Sequence, residues 1–179
     1  MAETTYLEWK HGIVVAALAH RGLQIPVEPI IDAHGTGRRR ATLHARRTGK
    51  KWAVGFAAAR SHRIFDLTTC PILVPELAPA SAIVRDLAAI VPPIEKFDAQ
   101  LTATDSGLDI HIIGMPPIDL TARTALAAIA DRLDLARIAI DGETIVERRT
   151  PHITMGASAV VPPPGSFLQA TAAGEHALS

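Results

Sequence analysis

Apolar and polar positions along the chain sort it into short elements with different periods. Residues 5–21, TYLEWKHGIVVAALAHR, put Leu7, Val14 and Leu18 on one helical stripe with Ile13 and Ala17 beside it, and Gly22 follows as a C-cap. After LQIPVEP, the pieces PIIDAHG, RRATLHARR and KWAVGFAAA read as strands. In RATLHARR, Ala41, Leu43 and Ala45 alternate with Thr42, His44 and Arg46, the mark of a strand buried on one side only. TGKK is a hairpin turn, so Arg40, Thr42, His44 and Arg46 should project from one face. RIFDL is a short strand, and CPIL leads into a helix that begins near Pro75, where a proline costs little, and runs to about Ile90.

FDAQLTAT and GLDIHIIG alternate with period two and are joined by DSG. Asp119 is placed to cap an Ala- and Leu-rich helix over Leu120–Leu133. ARIAID and TIVERR follow with Asp141-Gly142 between them, and the tail reads as strand, turn, strand and a helix starting near Gln169. The predicted order is α-β-β-β-β-α-β-β-α-β-β-β-β-α. Hairpin connections dominate it, which predicts an α+β fold: a mostly antiparallel sheet with helices packed on one face. The last helix is too short to be stable by itself and reads as the approach to a further domain.

Composition supports a folded, water-soluble chain: 48% of residues are hydrophobic and 20% charged. Only seven are aromatic (Phe 4, Trp 2, Tyr 1), which leaves the core to Ala, Leu, Ile and Val. No apolar run approaches the roughly 18–20 residues of a membrane span, and MAETTYLEWK is unlike the start of a signal peptide. A single Cys and no secretion signal make the cytoplasm the expected location.

Charge changes the picture more. The net charge is zero, yet nine of the 18 basic residues (Arg38, Arg39, Arg40, Arg46, Arg47, Lys50, Lys51, Arg60, Arg63) fall within 38–63, a stretch with no Asp or Glu. Such a run focuses positive potential and suits a polyanion; a solvated hairpin edge is the plainer alternative. Chemistry is otherwise thin. Cys70 is the lone cysteine, and nothing in the spacing forces His62, eight residues upstream, against it as a base. The eight His are scattered without the paired spacing of a zinc site. No phosphate-binding glycine loop is present, and HGTG at 34–37 does not sit between a strand and a helix.

One block ties these features together. GRRRATLHARR…GFAAARSHRIFDLTTCPILVPEL (37–77) resembles the central domain of the S-adenosylmethionine-dependent 23S ribosomal RNA uracil-5-methyltransferases, and PPGSFLQATAAGEHAL is similar to that family's FxQxN run into its catalytic domain. The resemblance covers roughly residues 6–178. It implies that Arg38, Arg39, Arg40, His44, Arg46, Arg60, Ser61 and His62 contact ribosomal RNA, that Cys70 is one ligand of a 4Fe-4S cluster, and that Gln169 helps bind S-adenosylmethionine. It further implies a central RNA-binding and cluster-supporting domain over 1–162, and a lead-in over 163–179 to a cofactor-binding methyltransferase domain. Departures from the pattern are explicit: the family's three upstream cysteines have no counterpart here, its Asn two residues after the Gln is Thr171, and its nucleophilic Cys and Glu base would fall beyond Ser179. The chain by itself is therefore expected to lack catalysis and to bind neither cofactor. Two rivals remain: a structural module that scaffolds a partner or forms a homodimer, and a small enzyme built on Cys70 and His62.

Overall fold

The computed structural model of the chain describes residues 2–33, 37–61, 63–90 and 94–179. They form two compact units, residues 1–33 and 34–179. The first is a helix, α1 (Glu3–His20), followed by an irregular segment. Gly22 ends the helix as its position predicts: at φ +73° it lets Leu23 N–H reach back to the Leu18 carbonyl and Gly22 N–H to that of Ala19. His11 Nε2 lies 3.1 Å from the Val27 carbonyl oxygen, pinning the returning segment to the helix. The strand expected over PIIDAHG does not form: residues 30–33 are irregular, and His34, Gly35 and Thr36 lie outside the described residues. Pro26 and Pro29 remove the N–H groups a ladder would need.

The second unit is built on a seven-stranded sheet in the order β3-β2-β1-β4-β5-β6-β7. Its strands are β1 (Arg40–Thr48), β2 (Lys51–Ala57), β3 (Ile64–Asp66), β4 (Lys96–Thr104), β5 (Gly107–Ile113), β6 (Arg137–Ile140) and β7 (Glu143–Glu147). Every neighbouring pair is antiparallel except β5–β6, which is parallel and bridged by a helix, α3 (Leu120–Arg132). A parallel neighbour cannot be reached by a tight turn, which is why a crossover helix is needed there. A separate hairpin, β8 (Ile153–Met155) and β9 (Ser158–Val160), and a short helix, α4 (Ala172–His176), complete the chain.

The two sides of the sheet divide the chemistry. Ala45, Leu43 and Ala41 lie opposite Phe97, Ala99 and Leu101, which in turn lie opposite Ile112 and Ile110. All of them but Ala41 form one core with α2 (Ala80–Ile90) and α3, through Ile83, Val84, Leu87, Leu126 and Ile129. Both helices therefore cover the same face, as the alternation predicted. The helix expected from Pro75 is split: Pro75–Leu77 is a 3-10 turn, and α2 begins only at Ala80, after Pro79. The missing N–H of Pro79 makes a new start cheaper than a continuous helix. Asp119 caps α3 as expected, its carboxylate accepting from Ala122 N–H at 2.8 Å. Helix α4 starts at Ala172 rather than near Gln169, because Thr171 is its cap and accepts from Gly174 N–H at 3.0 Å.

Candidate nucleic-acid interface

The face turned away from the helices carries the polar positions in rows. Arg40 lies opposite Thr102, Thr42 opposite Gln100, His44 opposite Asp98, and Arg46 opposite Lys96. On the far side of β4 the rows continue as Thr102–Asp109 and Gln100–His111, and then as Asp109–Arg137 and His111–Ala139. The expected projection of Arg40, Thr42, His44 and Arg46 from one side is thus what the register gives.

Their charges, however, are largely answered from other strands. Asp98 Oδ1 lies 2.9 Å from His44 Nδ1 and accepts from Arg46 Nη1 at 2.7 Å; Arg46 also reaches the Phe97 carbonyl at 2.8 Å. Burial opposes ionisation of Asp98, but the hydrogen bonds from His44 and Arg46 outweigh it and hold the carboxyl below its ordinary value. Arg40 donates to the Gln100 side-chain oxygen, and partial burial lowers its own pKa. Arg39 is paired with Glu175 and donates through Nε to the Gln169 carbonyl at 3.3 Å.

The remaining basic groups stand at the two ends of the β1–β2–β3 meander. Arg38, Arg60 and Arg63 are exposed where β1 begins and β2 turns into β3, and among the described residues none of their guanidinium groups meets an acceptor. Arg60 holds φ +56°, a left-handed conformation uncommon outside glycine, in a loop closed by Ala58 N–H to the Arg63 carbonyl and by Arg63 N–H to Ser61 Oγ. His62 lies outside the described residues. At the other end, Arg47, Lys50, Lys51 and Lys96 are exposed, and Arg47 bonds only the Gly49 carbonyl, at 3.2 Å. Eight residue steps of β1 separate the ends by about 26 Å.

Two groups of the polar face escaped sequence reasoning. Arg137 and Asp109 form a bidentate pair, Nε to Oδ1 at 2.9 Å and Nη2 to Oδ2 at 2.8 Å, with side chains 5% and 6% exposed. Nη2 of Arg137 also donates to the Pro162 carbonyl at 2.8 Å, which brings the C-terminal segment over this face. His111 accepts from Gly142 N–H through Nε2 at 3.0 Å, so its proton sits on Nδ1, a buried atom with no partner among the described residues. Gly165 passes so close to that ring that a Cβ there would overlap Nδ1. Burial, ahead of the opposing influence of Asp141 and Asp109, lowers the His111 pKa and favours the neutral ring. Nothing in local spacing marks Asp109, His111 or Arg137; only the strand pairing does.

Cys70 is a free, half-buried thiol in the turn before Pro75, and its carbonyl accepts from Leu73 N–H at 3.3 Å. Among the described residues no group of three or more His, Cys, Asp or Glu is placed to hold a metal ion. A four-iron cluster takes four cysteine thiolates, and this chain supplies one, so its residues by themselves do not fit that group. The side-chain amide of Gln169 makes no hydrogen bond among the described residues, while Leu168 beside it is buried and Phe167 is 76% exposed. No described helix is long and apolar enough to cross a membrane.

No family model matches the chain. Curated proteins do. An uncharacterized RNA methyltransferase of Brucella suis biovar 1 is 38% identical over 97% of this chain, which spans 42% of that protein. One from Rhizobium meliloti is 35% identical over 99% of the chain and 43% of its own length. A further one, from Zymomonas mobilis, is 32% identical over 98% of the chain and 46% of its own length. The chain thus spans less than half the length of the curated relatives it matches, and over nearly all of its own length it is a homologue of part of proteins named RNA methyltransferases.

Proposed function

We propose that this chain is the RNA-contacting part of an RNA methyltransferase, in which it grips the substrate electrostatically. The supporting observation is the placement of exposed cations, with no acidic partner among the described residues, at both ends of the meander. At about 3.4 Å per stacked nucleotide, the 26 Å between them matches roughly eight nucleotides. A protein that grips phosphates and leaves base chemistry to another site would show such a spread of cations without a catalytic group among them. Methyl transfer is not assigned to any residue of this chain.

The finer reading, carried by the GRRR, RSH and CPILVPEL motifs, is a ribosomal RNA uracil-C5 methyltransferase that uses S-adenosylmethionine in the cytoplasm. In it, residues 1–162 are the RNA-binding domain, residues 163–179 lead to the cofactor domain, Gln169 faces the cofactor, and Cys70 is one thiolate of a 4Fe-4S cluster completed from elsewhere. Fluorescence anisotropy with a labelled single-stranded or hairpin RNA tests the interface. Reversing Arg38, Arg60 and Arg63 to Glu should weaken binding at least tenfold at low salt, whereas unchanged affinity would reject the interface.

One observation favours a second reading, a docking module. Trp9, Ile13, Val14 and Val15 of α1 are each more than 40% exposed. A dimer in size-exclusion chromatography together with no RNA binding would favour that reading over the first.

A further inference from the structure

Arg39 sits in the middle of the Arg38–Arg40 triplet, where composition alone would assign it to phosphate. Its surroundings say something else. Its carbonyl accepts from Ala103 N–H at 2.8 Å, joining it to β4. Its own N–H donates to the Ala170 carbonyl at 2.9 Å, its Nε to the Gln169 carbonyl at 3.3 Å, and its Nη2 is paired with Glu175. The ion pair is largely out of water, with side chains 14% and 16% exposed. All three of these bonds end on residues 169–175, about 130 positions away.

The recipient segment needs such an anchor. Helix α4 has five residues, far below the length at which a helix holds itself together. Its internal support is the Thr171 cap and a few backbone bonds, Glu175 N–H to the Thr171 carbonyl, Ala177 N–H to that of Ala173 and Leu178 N–H to that of Glu175. Leu168 inserts as a buried plug; Phe167 before it is exposed, and Gln169 after it is half-buried, its side-chain amide without a hydrogen bond among the described residues.

We propose that Arg39 is a positioning residue: it clasps residues 169–175 to the start of β1, which fixes the backbone that carries Phe167 and Gln169, and it makes no RNA contact. The guanidinium suits this because its planar fork serves a carbonyl and a carboxylate at once, which an ammonium cannot do with fixed geometry. Only the contrast with Arg38 rests on the RNA reading above.

The test uses the full chain with Arg39→Ala, Arg39→Lys, Glu175→Gln and Arg38→Ala. Amide exchange by mass spectrometry should rise at least tenfold over residues 168–177 in Arg39→Ala and in Glu175→Gln, with partial recovery in Arg39→Lys and no change in β4–β5. In RNA binding, Arg38→Ala should lower the slope of log affinity against log salt by about 0.7, and Arg39→Ala should leave it unchanged. Unaltered exchange over 168–177 in Glu175→Gln, which leaves β1 intact, overturns the clasp. An Arg39→Ala slope loss equal to that of Arg38→Ala overturns it too. If the wild-type chain binds no RNA, the RNA reading falls, and the exchange measurement still decides the clasp.

Discussion

The Asp109–Arg137 pair offers the sharpest quantitative test of how the polar face is held. Replacing Asp109 with Asn keeps the shape and removes one charge of a pair whose side chains are only 5% and 6% exposed. Arg137 would then remain buried with the Pro162 carbonyl and a neutral amide as its acceptors. Stranding one partner of a buried ion pair costs about 3–5 kcal/mol, because the remaining charge has lost its compensation but not its desolvation penalty. With a urea dependence of about 2 kcal/mol per molar, the unfolding midpoint should fall by roughly 1.5–2.5 M, read by circular dichroism. Removing both charges, as Asp109→Leu with Arg137→Met, should recover most of that loss. It should still loosen the backbone around Pro162, since the bond from Arg137 is gone. A loss of less than about 1 kcal/mol in Asp109→Asn would refute the reasoning, since it would mean that water reaches the pair.

Three further outcomes can be measured on the same chain. Gly55→Ala should cost about 1–3 kcal/mol in urea unfolding, because the new methyl would overlap the Phe65 carbonyl oxygen of β3 and force that edge strand away. Asp119→Ala should cost about 1 kcal/mol by removing the cap on Ala122 N–H, and Asp119→Ser should restore most of it. His111 supplies a pH dependence: its folded pKa lies below the ordinary 6.5, so the unfolded chain binds the extra proton first. The contribution is therefore complete above pH 6.5 and lost as the pH falls through the window below it, and His111→Gln should flatten the wild-type stability curve there; identical slopes would show that His111 is not the responsible group.

Much of the fold was legible because it depends on short-range rules. The period-two alternation of Ala41, Leu43 and Ala45, the Asp119 cap and the Asp141-Gly142 hairpin each follow from a few neighbouring residues, and each appears as read. The misreadings have different causes. PIIDAHG has the apolar content of a strand, but Pro26 just before it and Pro29 at its start remove ladder donors. The order of strands around the sheet, with β1 between β2 and β4, is set by long-range packing, so no local window could have revealed that Asp109 meets Arg137. The candidate site was legible as a basic segment, yet the division of labour within it was not.

That division can be put as a number. Counted along the chain, nine bases within 38–63 face no acid, and if all met phosphate on single-stranded RNA the salt slope would be about −6. The sheet register brings Asp98 to Arg46 from 52 positions away, and the C-terminal segment brings Glu175 to Arg39 from 136 away. Arg40 is turned to Gln100 and half-buried. Opposite charges placed across strands neutralise one another before any ligand arrives. Six cations of the segment then remain for RNA (Arg38, Arg47, Lys50, Lys51, Arg60 and Arg63), with Lys96 beside them, and the slope should not exceed about −5 in magnitude. Asp98→Asn should steepen the wild-type slope by up to about 0.7 by releasing Arg46. A wild-type slope near −6 would mean that RNA outcompetes Asp98 and Glu175 for their arginines, and the paired residues would have to be returned to the interface.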